Sequence, residues 1–183
     1  MPQIVNDLRQ EHGSFAKLFD ILERQLTIFH NNGKPDYDLI SDAIDLLFHF
    51  PHRYHHPKED AVFEKLAQRE PAVASNMADL KQEHDALHDL TQKFASNIES
   101  VISEEEIARD EVIENLHKLA DFQHRHMQME EDDFLPVALK ILTPEDWDEL
   151  DARAADANDP AFGAEAKSEF SVRYEKILRS LNG

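Results

Sequence analysis

The chain has 183 residues, 38 of them acidic against 19 basic, a formal net charge of −19 and no cysteine. That balance, uninterrupted by any basic cluster, disfavours nucleic acid and anionic membrane surfaces as partners. It also excludes disulfides, thiolate ligands and a cysteine nucleophile, so any metal must be held by imidazole and carboxylate.

The length suits one core, and 41% hydrophobic residues with only four glycines favour an all-helical protein. The first residues, Met1 to Asp7, lack the charged and apolar parts of a signal peptide. No later run reaches membrane-spanning length, so a cytoplasmic location is expected.

A first helix is predicted over about residues 3 to 31. Ile4, Leu8, Phe15, Phe19, Leu22, Leu26 and Phe29 form its stripe, and Gly33 and Pro35 end it. His12 stands in that stripe between Leu8 and Phe15. Asp36 can cap a second helix, whose stripe Ile40, Ile44, Leu47 continues to His55, Glu59, Val62 and Leu66. Pro51 and Pro57 fall inside it, and each removes a backbone donor, which predicts a break or kink between Phe50 and Pro57. Two pairs at i,i+4 lie at this kink, His55 with Glu59 and His56 with Asp60. Only one is expected to face the core; the stripe favours the first, although Pro57 makes the phase uncertain, so both registers stay open. His49, His52 and His56 then share a surface face.

Pro71 suits the first position of a third helix with Met77, Leu80, Leu87, Phe94, Ile98 and Val101 on one side. His84 falls on that stripe and His88 on its shoulder. Ser103 with Glu106 reads as a capping box opening a fourth helix that runs to about Leu142. Its stripe is Val112, Leu116, Leu119, Gln123, His126 and Glu130, then Val137 and Ile141 after a gap. His126 and Glu130 thus point inward, where a lone carboxylate costs several kcal/mol unless it meets a cation. His124 is expected in solvent. Glu114 with His117 is a single Glu-x-x-His, and a ferritin-type site needs two.

Thr143-Pro144 starts a shorter helix with Trp147 and Leu150, and Asp159 to Gly163 forms a turn. A last helix follows with Phe170, Tyr174, Ile177, Leu178 and Leu181. The expected organisation is an antiparallel up-down four-helix bundle over residues 1–142 and a C-terminal helical extension over 143–183. The extension is read as a cover for one end or side of the bundle, or as a homodimer contact.

In such a bundle, early positions on odd helices lie level with late positions on even ones, so His12, Glu59, His84 and His126 can share one layer. Two imidazoles and a carboxylate, repeated twice, suit iron, manganese or zinc better than magnesium or calcium. If both carboxylates bridge two six-coordinate metals that also share a bridging oxygen, about two positions stay open, or about one if His88 also binds.

The succession His12, His55-x-x-x-Glu59, His84 and His126-x-x-x-Glu130 resembles the hemerythrin-like HHE cation-binding family over roughly residues 5 to 142. Tyr54 to Asp60 and His126 to Glu131 are similar to that family's bacterial members. The resemblance implies a four-helix bundle around an oxo- or hydroxo-bridged di-iron site. Its ligands would be His12, His55, Glu59, His84, His126 and Glu130, with His88 as a fifth imidazole as in oxygen-carrying hemerythrins. Those carriers place the last carboxylate five residues after its histidine, at Glu131 here; the spacing to Glu130 is that of the non-carrier members. The implied function is a di-iron protein that reacts with or senses dioxygen, peroxide or nitric oxide, or that handles iron. The alternatives are a di-iron enzyme with peroxidase, catalase-like or nitric-oxide-consuming turnover, and a metal-free helical interaction module.

Overall fold

The structure, a computed structural model, describes residues 1–75, 80–155 and 164–181, the last stretch with side chains from Ser168 onward. Met77 and the expected turn from Asp159 to Gly163 lie outside the described residues. The described chain is all-α, with no strand. Its helices are α1 (Gln3–His30), α2 (Tyr37–Phe50), α3 (His56–Arg69), α4 (Pro71–Ser75), α5 (Leu80–Ile102), α6 (Arg109–Met129), α7 (Leu135–Ile141), α8 (Pro144–Ala155) and α9 (Ala164–Ser180). Wide π-helical turns, Pro51–His55 and Glu130–Phe134, join α2 to α3 and α6 to α7. Two of the four bundle rods are therefore composite. α1 packs on α2 and α6, and α5 packs on the same two, which closes the bundle. No helix among the described residues is long and apolar enough to cross a membrane.

Local chemistry sets the ends of the rods. Asp36 accepts from Leu39 N–H at 2.9 Å and caps α2. At the end of α1, Asn32 takes the left-handed conformation (φ 58°), and Gly33 N–H reaches back to the Ile28 carbonyl at 2.9 Å. A Cβ on Gly33 would stand 2.7 Å from the Ile28 side chain and 3.0 Å from its carbonyl oxygen, so the close approach needs glycine.

Ser103 does not open the fourth rod. Glu104 takes φ 57° and Glu105 N–H bonds the Ser100 carbonyl at 2.9 Å, so this segment closes α5 in the manner that Asn32 and Gly33 close α1. α6 begins six residues later at Arg109, after Ala108, with no side-chain cap. Arg109 lies over the Phe29 ring at 4.4 Å and donates to the Phe29 carbonyl, tying the start of α6 to the end of α1.

The apolar residues form two clusters. One holds Phe15 to Phe29 of α1, Leu39 to Phe50 of α2, Leu87, Phe94 and Ile98 of α5, and Val112 to Met127 of α6. The other holds Ile4, Val5 and Leu8 of α1, Ala61, Val62 and Leu66 of α3, and Phe134 to Leu142. His12, His55, Glu59 and Glu130 fall between the two sets along their rods, and His126 stands beside Met127 at the edge of the first, so the polar layer has hydrocarbon on both sides.

The C-terminal helices share these cores. Trp147 and Leu150 of α8 join the second cluster, and Phe170 and Ile177 of α9 join the first. Asp151 of α8 accepts from the backbone N–H of Gln3 and Ile4, each at 2.8 Å, and supplies the cap that Pro2 cannot. Asp146 accepts from Thr143 N–H at 3.0 Å and from two Arg69 nitrogens at 2.9 Å, fastening the start of α8 to α3. The Arg69 guanidinium first of all, against the effect of burial, lowers the Asp146 carboxyl from 3.8 to about 2. Its contribution to stability is complete above pH 3.8 and is lost as pH falls towards about 2. Asp146→Asn should cost roughly 1 kcal/mol at neutral pH, a cap-sized loss with the half-exposed Arg69 pair discounted for solvent. Urea titrations at pH 7 and pH 2 should show that difference at the first and little of it at the second.

Candidate metal centre

The layer is assembled where the helices change phase. His56 N–H bonds the Pro51 carbonyl, five residues back, and Leu135 N–H bonds the Glu130 carbonyl in the same way. Pro57 and Pro136 each stand two residues after such a turn, and neither can donate the bond that would restore α-helical spacing. Widening the first turn brings both neighbours, His55 and His56, into the interior, at 1% and 7% exposure. The expectation that only one of the two pairs faces the core therefore fails for His56. Its partner in that register, Asp60, is half-buried and stands in neither donor cluster.

Two clusters of buried donors result, His12, His55, Glu59 and Glu130 in one and His56, His84, His126 and Glu59 in the other. Within each, the candidate ligand atoms lie within 4.8 Å of one another. Glu59 Oε1 is 3.0 Å from His55 Nε2 and 3.5 Å from His12 Nε2, while its Oε2 is 3.3 Å from His84 Nε2. Glu130 Oε2 is 3.3 Å from His12 Nε2, and its Oε1 is 3.0 Å from His126 Nε2 and 3.8 Å from His84 Nε2. Each carboxylate thus spans both sets of imidazoles, one oxygen to each.

These approaches lack the alignment of hydrogen bonds. All four oxygens of Glu59 and Glu130, Nε2 of His84 and of His126, and Nδ1 of His56 are buried without a hydrogen-bond partner. Orphaned atoms of this kind cost about 1–3 kcal/mol each, more when charged. A core does not collect seven of them at one point unless something meets them, and imidazole nitrogen with carboxylate oxygen is the donor set of a transition-metal ion.

Electrostatics point the same way. Burial would lower the His12 imidazole, yet the Glu130 and Glu59 carboxylates push it up to about 11. His84, with the same opposed influences, rises to about 9. Burial and the charge of Glu59 would raise Glu130, but His12, His126 and His84 hold it down to about 2. Glu59 is likewise held well below the usual carboxylate range, against burial, chiefly by His55. His56, buried and facing the positive charge of His84, is held well below the usual imidazole value and so stays neutral. Without a metal, protons on the imidazoles balance the two buried carboxylates.

The outward nitrogens are held by a second set of carboxylates. His12 Nδ1 lies 2.9 Å from Glu131, which Arg9 also holds at 2.8 Å. His55 Nδ1 lies 2.8 Å from Glu11, itself paired with the buried Lys58. His126 Nδ1 lies 2.7 Å from Glu83. In each case a proton held on Nδ1 turns Nε2 towards the layer, where it offers a lone pair once its own proton is lost, the arrangement that orients metal-binding histidines. In the metal-free chain Nε2 of His12 and Nε2 of His55 share a hydrogen bond at 3.1 Å.

The structure thus brings His12, His55, Glu59, His84, His126 and Glu130 together, but not His88. His88 is half-buried one turn along α5, packed on Phe48 with ring centres 4.5 Å apart. The third imidazole of the second cluster is His56, stacked on His84 at 3.7 Å. His49, His52 and His124 are exposed, as are Glu114 and His117. Sequence reasoning missed His56, Glu11 and Glu83 as parts of the centre. The prolines around Tyr54 to Pro57 were a signal for the first; the other two are set by contacts between rods.

An all-helical bundle with a buried layer of five imidazoles and two shared carboxylates is the construction of a cation-binding helical bundle. The family model of the hemerythrin HHE cation binding domain matches residues 3–138, most of the chain, and the chain belongs to that family. No curated protein and no solved structure matches.

Because metal must displace the protons now held by His12 and His84, uptake should release protons, and apparent affinity should rise with pH through the neutral range. Adding zinc or ferrous ion to metal-free protein in weak buffer, with an indicator dye, should register acidification; binding without proton release would contradict this charge balance.

Proposed function

We propose that the chain binds a pair of iron ions between the two clusters and uses them to react with or sense a small oxidant or gas, namely dioxygen, peroxide or nitric oxide. The observation that carries this reading is the unequal donor set around shared carboxylates: two imidazoles in one cluster, His12 and His55, and three in the other, His56, His84 and His126. The cluster poorer in imidazole keeps more free positions for a small molecule. Mixed nitrogen and oxygen donors suit iron, and manganese or zinc could occupy the same positions. When bound, two adjacent irons supply one-electron changes at two centres.

The protein's own part is orientation and shielding. Glu131 with Arg9, Glu11 with Lys58, and Glu83 fix the rings of His12, His55 and His126. Phe15 stands edge-on to His55 with ring centres 4.9 Å apart and keeps water from that side. The position of Glu131 also bears on carriage of oxygen: it is 31% exposed and engaged by His12 and Arg9, while Glu130, at 0% exposure, occupies the layer. That supports the non-carrier reading over reversible oxygen transport. Turnover of peroxide or nitric oxide would make the protein an enzyme in place of a sensor, and steady-state consumption by iron-loaded protein separates the two.

Protein purified from iron-supplied cells should carry about two irons per chain, with a higher melting temperature than chelated protein. Glu130→Ala should abolish tight binding at one or both positions, while His124→Ala should leave it intact. Well-folded protein that takes up no iron, and melts identically with and without chelator, would refute the proposal.

A further inference from the structure

The layer is sealed by hydrocarbon on both sides, so an ion must enter from the flank of the bundle. A narrow cleft on that flank reaches His56. It is lined by Leu47, Phe48, His52, His56, His88 and Gln123 among others, and its cavity of about 20 Å³ has room for about one water-sized group. His52 is exposed at its rim, His88 is half-buried, and His56 lies at its buried end with an unpartnered Nδ1.

The three histidines that line this cleft, together with His84 behind His56, form two rungs. The inner rung is His56 stacked on His84, ring centres 3.7 Å apart, and it belongs to the second donor cluster. The outer rung is His52 beside His88, ring centres 5.4 Å apart. His52 precedes His56 by four residues and His88 follows His84 by four, so each rung takes one ring from the Pro51–Pro57 stretch and one from α5. His49 stands apart, paired with Asp45 at 3.2 Å.

We propose that His52 and His88 form an outer capture site for a divalent first-row transition-metal ion, from which the ion passes inward to His56 and His84. This rests on the metal-binding reading above. Two imidazoles without a carboxylate hold such an ion weakly and leave it most of its water, whereas the inner cluster offers three imidazoles and Glu59, so affinity increases inward. Gln123, buried in the cleft wall, offers an amide oxygen along the way. The net charge of −19 draws cations to the surface on which the outer rung sits.

The test is the rate of filling, followed by the visible absorption of cobalt(II) after rapid mixing with the metal-free chain. His52→Ala and His88→Gln should each slow filling by about tenfold, the double variant should be little slower than either, and all should reach the cobalt content of the wild type. His49→Ala and His124→Ala should fill at the wild-type rate. His52 is exposed, so His52→Ala keeps the test valid if His88→Gln, which loses packing on Phe48, melts early. Filling of the double variant at the wild-type rate would overturn the proposal while leaving the metal centre standing. A lower final cobalt content in folded His88→Gln would also overturn it, by making His88 a resident ligand. A wild-type chain that takes up no cobalt would remove the metal centre and the capture site together.

Discussion

Two carboxylates, Glu59 and Glu130, sit at 1% and 0% exposure in the middle of a helical bundle, and the rest of the structure is arranged to make that tolerable. A buried charge without a partner costs several kcal/mol, far more than a small helical domain can spare. Five imidazoles surround the pair, and His12 and His84 among them are driven to hold protons. Apolar clusters above and below remove the water that would otherwise screen these charges. The layer is therefore a place where positive charge is strongly favoured, with protons and metal ions as competitors for it.

Geometry at the layer depends on two departures from the α-helix. The wide turns Pro51–His55 and Glu130–Phe134 shift the phase of their rods between the two apolar clusters. The first allows consecutive histidines to serve different clusters, His55 the one and His56 the other. The second accounts for the interruption after Glu130 in the hydrophobic pattern of the fourth rod, since a turn with one extra residue brings Leu135 into the core beside Phe134 and moves the following core positions from the expected Val137 and Ile141 to Ala138 and Leu142, which are buried. Wide turns of this kind occur at functional sites because they place side chains where a regular helix cannot.

A second set of charges supports the first. Glu11, Glu131 and Glu83 hold the outer nitrogens of His55, His12 and His126, and Lys58 and Arg9 balance two of them. Such pairs are weak contributors to net stability when buried, and their value lies in fixing ring orientation and tautomer. The C-terminal helices add to the same end of the design: α8 caps α1 through Asp151, and Phe170 of α9 packs against Phe15, which stands against His55.

What the sequence by itself determined is the part that depends on regular periodicity. The all-helical class, the stripes of the rods, the break between Phe50 and Pro57, and the inward placement of His12, His55, Glu59, His84, His126 and Glu130 all follow from side chains recurring every three or four residues, with prolines to mark interruptions. Tertiary structure decided what periodicity cannot carry. His56 entered the layer and His88 did not, because a π-helical turn changes the angle between neighbours by an amount the sequence pattern does not encode. Ser103 closed α5 in place of opening α6, because capping residues suit either end of a short connection until the backbone chooses. Glu11, Glu83 and Glu131 acquired their roles only when separate rods packed, since the histidine each one holds lies on a different rod, from 43 to 119 positions away.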